Sequence, residues 1–298
     1  MVEMRYVRNI LVSVLLTSVL ISCTGKVRNP EISSVLILSG QNNHEWQKTS
    51  PLIAEILENS GLFEVSITND PDTLSYNSLK RYHVILSNRN TWPDTSSRMS
   101  SRWEKEFLKF VGKGGGFVSL HAGSSAFYGW DDFHRIGIGR WGRDTRHGQI
   151  TTGRISELDQ DHPVTKGLRE FYITDEFWEK TDIFPGSILI AKVYAESGSD
   201  GKPIFEPALL YNHFRKGRCI YIALGHDEKA IRNTGLRTLL VRSTQWAARE
   251  DINDETIPWF LRENSTLKEE DYSWCETDTS VCLKNSSNPV WQFNFNDR

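Results

Sequence analysis

Short, wholly apolar runs, each leading into a stretch with helical spacing, constrain this chain more than any other feature. Ser34-Val35-Leu36-Ile37-Leu38-Ser39-Gly40 is apolar on both faces, as a strand buried inside a parallel sheet must be. Thr49-Ser50-Pro51 then predicts a helix start, with a hydroxyl cap and proline in the first turn. Leu52, Ile53, Ile56 and Leu57 give that helix an apolar face, and Gly61 ends it. Phe63 to Thr68 and His83 to Ser87 predict the next two strands. Trp103, Phe107, Phe110 and Val111 predict a helix closed by Gly114-Gly115-Gly116, and Phe117 to Leu120 a fourth strand. Further strands are expected at Ser187 to Tyr194, Pro207 to Tyr211 and Arg218 to Leu224, with a last helix from Leu236 to Ala247. This alternation implies an α/β fold with a doubly wound, mostly parallel, flavodoxin-like sheet over residues 33–250. The irregular middle, residues 122–180, reads as an elaboration of the kind that carries specificity.

The ends differ from this body. Arg5 and Arg8 precede a short apolar run that closes in Leu20-Ile21-Ser22-Cys23. A charged segment leading into an apolar stretch too short to span comfortably predicts an export signal over 1–22. The final residues resemble a bacterial lipobox. That resemblance implies lipidation at Cys23, a tether over 23–32, and an exported, membrane-anchored lipoprotein that faces the periplasm. Residues 251–298 are polar and acidic, with late apolar alternation around the turn signal Asn285-Ser286-Ser287-Asn288, so a β-hairpin extension is expected. An exported context permits a disulfide between Cys275 and Cys282. Cys219, in an apolar run, reads as a buried thiol. The net charge is -3 with basic residues scattered, which argues against a nucleic-acid partner.

Ligands of open α/β sheets bind at the carboxyl ends of the strands. His44 and Trp46 come after the first strand, His121 after the fourth, and Gly225-His226-Asp227-Glu228 after the last. Three histidines from distant parts of the chain therefore converge on one edge. His121 stands at a sharp strand-to-helix turn with small residues after it, the layout of a nucleophile elbow. Glu176 is a candidate acid/base or metal ligand and Asp175 a candidate helix cap. Arg89, Arg140, Arg143 and Arg146 are candidates for holding a hydroxylated or anionic ligand. His162-Pro163 reads as structural.

The elbow and the last histidine resemble the class I glutamine amidotransferases, but His121 replaces their cysteine, so glutaminase thioester chemistry is excluded. Several motifs are similar to the trehalose-utilisation (ThuA-like) family. They are Asn43-His44-Glu45-Trp46, Gly114 to His121, Asp161-His162-Pro163-Val164-Thr165-Lys166-Gly167-Leu168, Thr174-Asp175-Glu176-Phe177, Lys216-Gly217-Arg218 and Ala223-Leu224-Gly225-His226-Asp227. The family commonly carries His-Pro where this chain has His147-Gly148. The resemblance implies an amidotransferase-like fold and a role in carbohydrate metabolism, particularly on oxidised (keto) sugars.

The expected function is an acid/base lyase, hydrolase or isomerase acting on a sugar derivative such as a 3-keto-glycoside. His121 is the expected base, His226 or Glu176 the acid, and Asp227 or Glu228 the group that orients His226. His44, Trp46 and Asp227 are expected to bind substrate, with Trp46 stacked on the sugar ring. A divalent ion such as Zn²⁺ is expected on His121, His147 and His226, or on Glu176 in place of His147, and no nucleotide cofactor. A non-catalytic sugar-binding lipoprotein and a scaffold for other exported enzymes are the alternatives.

Overall fold

The computed structural model describes residues 32–94, 96–252, 254–262, 272–277, 280–285 and 288–294. The export signal, Cys23 and nearly all of the tether lie outside the described residues, as do Ser286 and Ser287 of the expected turn. The chain begins with β1 (Ser33–Leu38), α1 (Trp46–Asn59), β2 (Phe63–Thr68), the one-turn α2 (Tyr76–Leu79), β3 (Val84–Ser87), α3 (Ser101–Gly112) and β4 (Gly116–Leu120). The middle holds α4 (Asp131–Gly137), β5 (Gly139–Arg140), β6 (Arg146–His147), β7 (Thr151–Ser156), β8 (Phe171–Asp175), β9 (Trp178–Glu179) and β10 (Asp182–Ile183). Next come β11 (Ile188–Ala195), β12 (Ile204–Phe214), β13 (Gly217–Ile222), the one-turn α5 (Glu228–Ile231) and α6 (Thr234–Ala248). Near the C-terminus, β14 (Tyr272–Thr277), β15 (Ser280–Asn285) and β16 (Asn288–Asn294) form a three-stranded antiparallel sheet, with Cys275 and Cys282 cross-linked between its first two strands. No helix among the described residues is long and apolar enough to cross a membrane.

The main sheet runs β2-β1-β3-β4-β13-β12-β11-β7-β8. Its first five strands are parallel, and from β13 onward every pairing is antiparallel. The change of sense has a simple cause. β11, β12 and β13 are joined in succession by loops too short for the crossover that a parallel pair requires. Both faces of the parallel half are covered, which explains its unbroken apolar runs. Val35 and Ile37 pack on one side with Ile53, Leu57, Leu239 and Leu240. Leu36 and Leu38 pack on the other with Trp103, Phe107, Phe117 and Phe133. Each such side chain contributes roughly 1.5–3 kcal/mol by leaving water.

Helix α1 starts at Trp46, earlier than Thr49-Ser50-Pro51 suggests. The two hydroxyls are not caps. Asn88 Nδ2 donates to Thr49 Oγ1 at 3.0 Å and to Ser50 Oγ at 2.8 Å, which ties the helix to the segment after β3. Pro51 consequently lies inside the helix, where it removes one backbone hydrogen bond. The earlier start puts Trp46 on the helix and leaves His44 just ahead of it.

His162 is 7% exposed, with its ring against Tyr211 and Trp246. Burial, helped by Arg218 and His213, lowers its pKa from 6.5 to about 4. A histidine depressed on folding stabilises fully above its unfolded pKa, and that contribution is lost as the pH falls toward the folded one. We expect the protein to lose about 2 kcal/mol through this residue between pH 7.5 and 5. Urea unfolding of wild type and His162→Phe at both pH values measures it, and parallel losses in the two proteins would refute it.

Candidate functional site

The carboxyl ends of β1, β4 and β13 share one edge of the parallel half of the sheet, with β3 between β1 and β4, and the chain leaves each through a local feature that aims a histidine. After β4, His121 adopts a φ of 43°, a left-handed conformation that the surroundings must hold in place. A Cβ on Gly123, two residues on, would collide with the carbonyl oxygen of Ser87, so the turn needs a glycine there. After β13, Gly225 turns at φ 104° and delivers His226. Ahead of α1, Asn42 holds His44: its Oδ1 is 2.8 Å from His44 Nδ1, while its Nδ2 donates to the Asn88 carbonyl at 2.9 Å. The second bond fixes the amide orientation, so His44 Nδ1 carries the hydrogen and Nε2 the lone pair.

The fourth component comes from the far edge of the sheet. Asp175, at the end of β8, is 1% exposed. Its Oδ2 accepts from Gly225 N at 2.7 Å, and its Oδ1 accepts from His226 N at 3.1 Å and Glu176 N at 2.9 Å. The sheet thus curls until its last strand meets the end of β13. Asp175 is not a helix cap; it staples Glu176 to His226. Burial raises its pKa against the pull of those donors and of His121.

Glu176 is the centre of the arrangement. Its Oε1 accepts from Trp178 Nε1 at 3.0 Å and lies 3.5 Å from His121 Nε2. Its Oε2 lies 3.2 Å from His147 Nδ1 and 3.5 Å from His226 Nε2. Burial alone would raise the carboxyl's pKa, but the histidines around it, His121 first, bring it from 4.5 down to about 2. His121 shows the reverse balance: burial would lower its pKa, yet the Glu176 interaction and Asp175 raise it. His121 Nδ1 is 3.0 Å from the Ala223 carbonyl, which can only accept, so Nδ1 carries a hydrogen and Nε2 faces the carboxylate. His44 is pushed the other way, from 6.5 to about 3, by burial and then by its histidine neighbours, so it is neutral near pH 7. The rings of His44 and His226 meet edge to face at 4.7 Å.

Above this group opens a cavity of about 270 Å³, lined by Asn43, His44, Asn90, Trp92, Trp141, His147, Glu176, Trp178 and His226. Several expectations change here. His121 is 2% exposed and lies beneath the floor, against His44 and Trp178, rather than on the cavity wall. Trp46 does not line the cavity, because it begins α1. Three other tryptophans form the walls. Asp227 caps α5 through Ala230 N at 2.8 Å, with its Oδ2 3.7 Å from His226 Nδ1, and is not on the cavity surface. Glu228 pairs with Arg232. Arg89 is bonded to Ser39, Asn69 and Gln41, Arg140 to Asp182, and Arg146 to Glu179 and Ser199. Like Arg143, they do not line the cavity. The donor atoms that lie within 4.8 Å of one another belong to His44, Glu176 and His226, not to His121, His147 and His226. Cys219 is buried, its thiol pKa pushed up to about 12 by burial.

Asn90 and Trp92 come after β3, and the strand-end rule applied to that strand points to them. Trp141 and Trp178 stand in the irregular middle, where β6 pairs with β9 and β5 with β10. No periodicity in the sequence signals that pairing.

The family profile for trehalose utilisation (ThuA) matches residues 34–247. A ThuA-like protein of Parabacteroides merdae, of known crystal structure, is similar at 25% identity, with a TM-score of 0.65 over 75% of this chain and 92% of that one. A ThuA-like protein of Bacteroides uniformis is similar at 20% identity and TM-score 0.58, over 74% of this chain and 92% of that one. A cytoplasmic protein of Salmonella typhimurium has a similar fold at 11% identity and TM-score 0.52, over 72% of this chain and 99% of that one. No curated protein matches the chain. The profile spans every residue of the cavity, and the chain belongs to the trehalose-utilisation (ThuA) family.

Proposed function

We propose that the cavity is the active site of an acid/base enzyme that removes a proton beside the carbonyl of an oxidised sugar, such as a 3-keto-glycoside. One observation carries this reading: an ionised, buried carboxylate with imidazoles on both its oxygens lies at the base of a cavity walled by three tryptophans. Trp92, Trp141 and Trp178 offer flat apolar surfaces to the faces of a sugar ring, and Asn43 and Asn90 offer amides to its hydroxyls.

His147 is the proton-exchanging group. It lines the cavity and its side chain is 43% exposed. Its Nδ1 faces two acceptors, the Gly148 carbonyl at 2.8 Å and Glu176 Oε2 at 3.2 Å, so Nδ1 carries a hydrogen and Nε2 exchanges protons. Glu176 orients the ring, and its own depressed pKa makes it a poor base. A keto group at C3 acidifies the proton on C2. His147 takes that proton, the C2–H bond breaks, and its electron pair moves into the carbonyl as an enolate. As the pair returns, the C1–O bond breaks and His147 gives the proton to the departing oxygen. Return of the proton to carbon instead gives isomerisation. His121 stays beneath the floor and holds Glu176 in place.

General acid/base catalysis is worth roughly 10²–10⁴-fold. We expect His147→Ala to lower turnover of a 3-keto-glucoside by about that factor, with little change in Tm because the side chain is half exposed. Unchanged kinetics in a folded variant would remove His147 from the mechanism. A protein that binds keto-sugars without converting them would be a sugar-binding module instead.

We also propose that the enzyme works at a membrane surface, anchored through lipid on Cys23. The apolar run ending in Leu20-Ile21-Ser22-Cys23 motivates this. Cys23→Ala should move the protein to the soluble fraction and change its processed mass. A variant still in the membrane fraction with unaltered mass would rule the anchor out.

A further inference from the structure

We propose that His44, Glu176 and His226 hold one divalent transition-metal ion, with the adjacent carbonyl and hydroxyl oxygens of the sugar as its remaining ligands. The sugar half of this inference rests on the function proposed above; the ion does not. One nitrogen of each histidine and one carboxylate oxygen lie within 4.8 Å of one another. A tetrahedral shell with bonds of about 2.1 Å places its donors roughly 3.4 Å apart. His226 Nε2 and Glu176 Oε2 already stand 3.5 Å apart.

The surroundings single out one donor on His44 and one on Glu176, and His226 turns its Nε2 to that carboxylate. Asn42 occupies Nδ1 of His44 and leaves Nε2. Trp178 and His121 face Oε1 of Glu176, so Oε2, which also accepts from His147 Nδ1 at 3.2 Å, is the oxygen turned to His226. Such outer contacts are what orients metal ligands elsewhere. A second feature points the same way. His121, 2% exposed, has no hydrogen-bond partner on Nε2 within normal geometry, and that atom is aimed at Glu176. His121 therefore supports the ligand carboxylate from below: its Nε2 faces Oε1 of Glu176, and its donors are not among those that cluster with His44, Glu176 and His226.

Three protein ligands leave open positions, as catalytic sites do and structural ones do not. Those positions face the cavity. Two imidazoles and one carboxylate suit Zn²⁺, Co²⁺, Fe²⁺ or Mn²⁺ better than Mg²⁺ or Ca²⁺, which prefer all-oxygen shells. An α-hydroxy ketone brings a carbonyl oxygen with a hydroxyl beside it to such an ion, which polarises the carbonyl as a Lewis acid, whereas the parent glycoside brings only vicinal hydroxyls. The site thus selects the oxidised sugar over its parent.

The test uses full-length protein, purified in detergent without chelator and dialysed against Zn²⁺ and Co²⁺. One equivalent of ion is expected. His44→Ala, Glu176→Gln and His226→Ala should each weaken affinity at least about 100-fold, and the surface variant His213→Ala should bind as wild type. The visible spectrum of the Co²⁺ protein should shift with a 3-keto-glucoside and not with the parent glucoside. X-ray absorption of the wild-type Zn²⁺ form should find two imidazoles and a carboxylate, a readout that needs no variant to fold. No bound ion, three imidazole ligands, or variants that bind like wild type would overturn the site. An ion bound without turnover of any keto-sugar would leave the site standing and remove the enzyme reading. Full turnover by stripped protein would overturn the ion's role and leave the acid/base reading intact.

Discussion

Replacing Glu176 by Gln lowers turnover of a keto-glycoside by about 10²–10⁴-fold. Every imidazole at the site except that of His44 contacts this carboxylate, so its charge organises the rest. Glutamine keeps the shape and can still accept from Trp178, but it has no charge to orient His147. The same substitution has a pH signature. The Glu176 carboxyl is depressed on folding, so its contribution to stability is present above the unfolded value of 4.5 and is lost as the pH falls toward about 2. His121 is raised on folding, so its contribution is present below 6.5 and is lost as the pH climbs through its folded value. Both effects come from one interaction and count once. Steady-state kinetics and acid unfolding of wild type and Glu176→Gln measure the two parts. Wild-type turnover, or an unchanged acid limb, would remove Glu176 from the centre of the site.

Asp175→Asn produces the second large effect, on fold and site together. The carboxylate accepts three backbone N–H bonds in the interior. An amide nitrogen in place of one oxygen presents hydrogens to a donor, so at least one bond is lost and its partner is left buried. Charged hydrogen bonds contribute roughly 1.5–3 kcal/mol each, and an unsatisfied buried donor costs about 1–3 kcal/mol. A loss of about 2–4 kcal/mol is expected in urea unfolding. Because Asp175 fixes both Glu176 and the Gly225-His226 turn, turnover should fall as well, even well below Tm. A folded variant with wild-type stability and turnover would show that the staple is dispensable.

Much of the scaffold is legible in the sequence because its physics is local. A run such as Val35-Leu36-Ile37-Leu38 has no polar face and must be buried on both sides. His44, His121 and His226 each stand just past the end of an apolar strand, and all three converge. Their roles are not legible. Whether His121 faces the cavity or lies beneath it depends on a φ of 43° and on packing under Trp178, neither of which spacing encodes. Trp46 stands past the first strand just as His44 does, yet an early helix start carries it away. Asp175 reads as a cap because nothing local announces that β8, at the far edge of the sheet, curls back to the end of β13. Trp141, His147 and Trp178 come together through two-residue strands too short to leave a period.

An enzyme that removes a proton from carbon beside a sugar carbonyl must let that proton exchange with solvent or leave with the product. Proton NMR of a 3-keto-glucoside in D₂O with the wild-type protein therefore tests the proposed reaction without assuming the final product. The C2 proton signal should disappear far faster with protein than without, and His147→Ala should slow the loss about 10²-fold or more. A keto-sugar that binds the protein and keeps its C2 proton at the uncatalysed rate would contradict the proposed reaction.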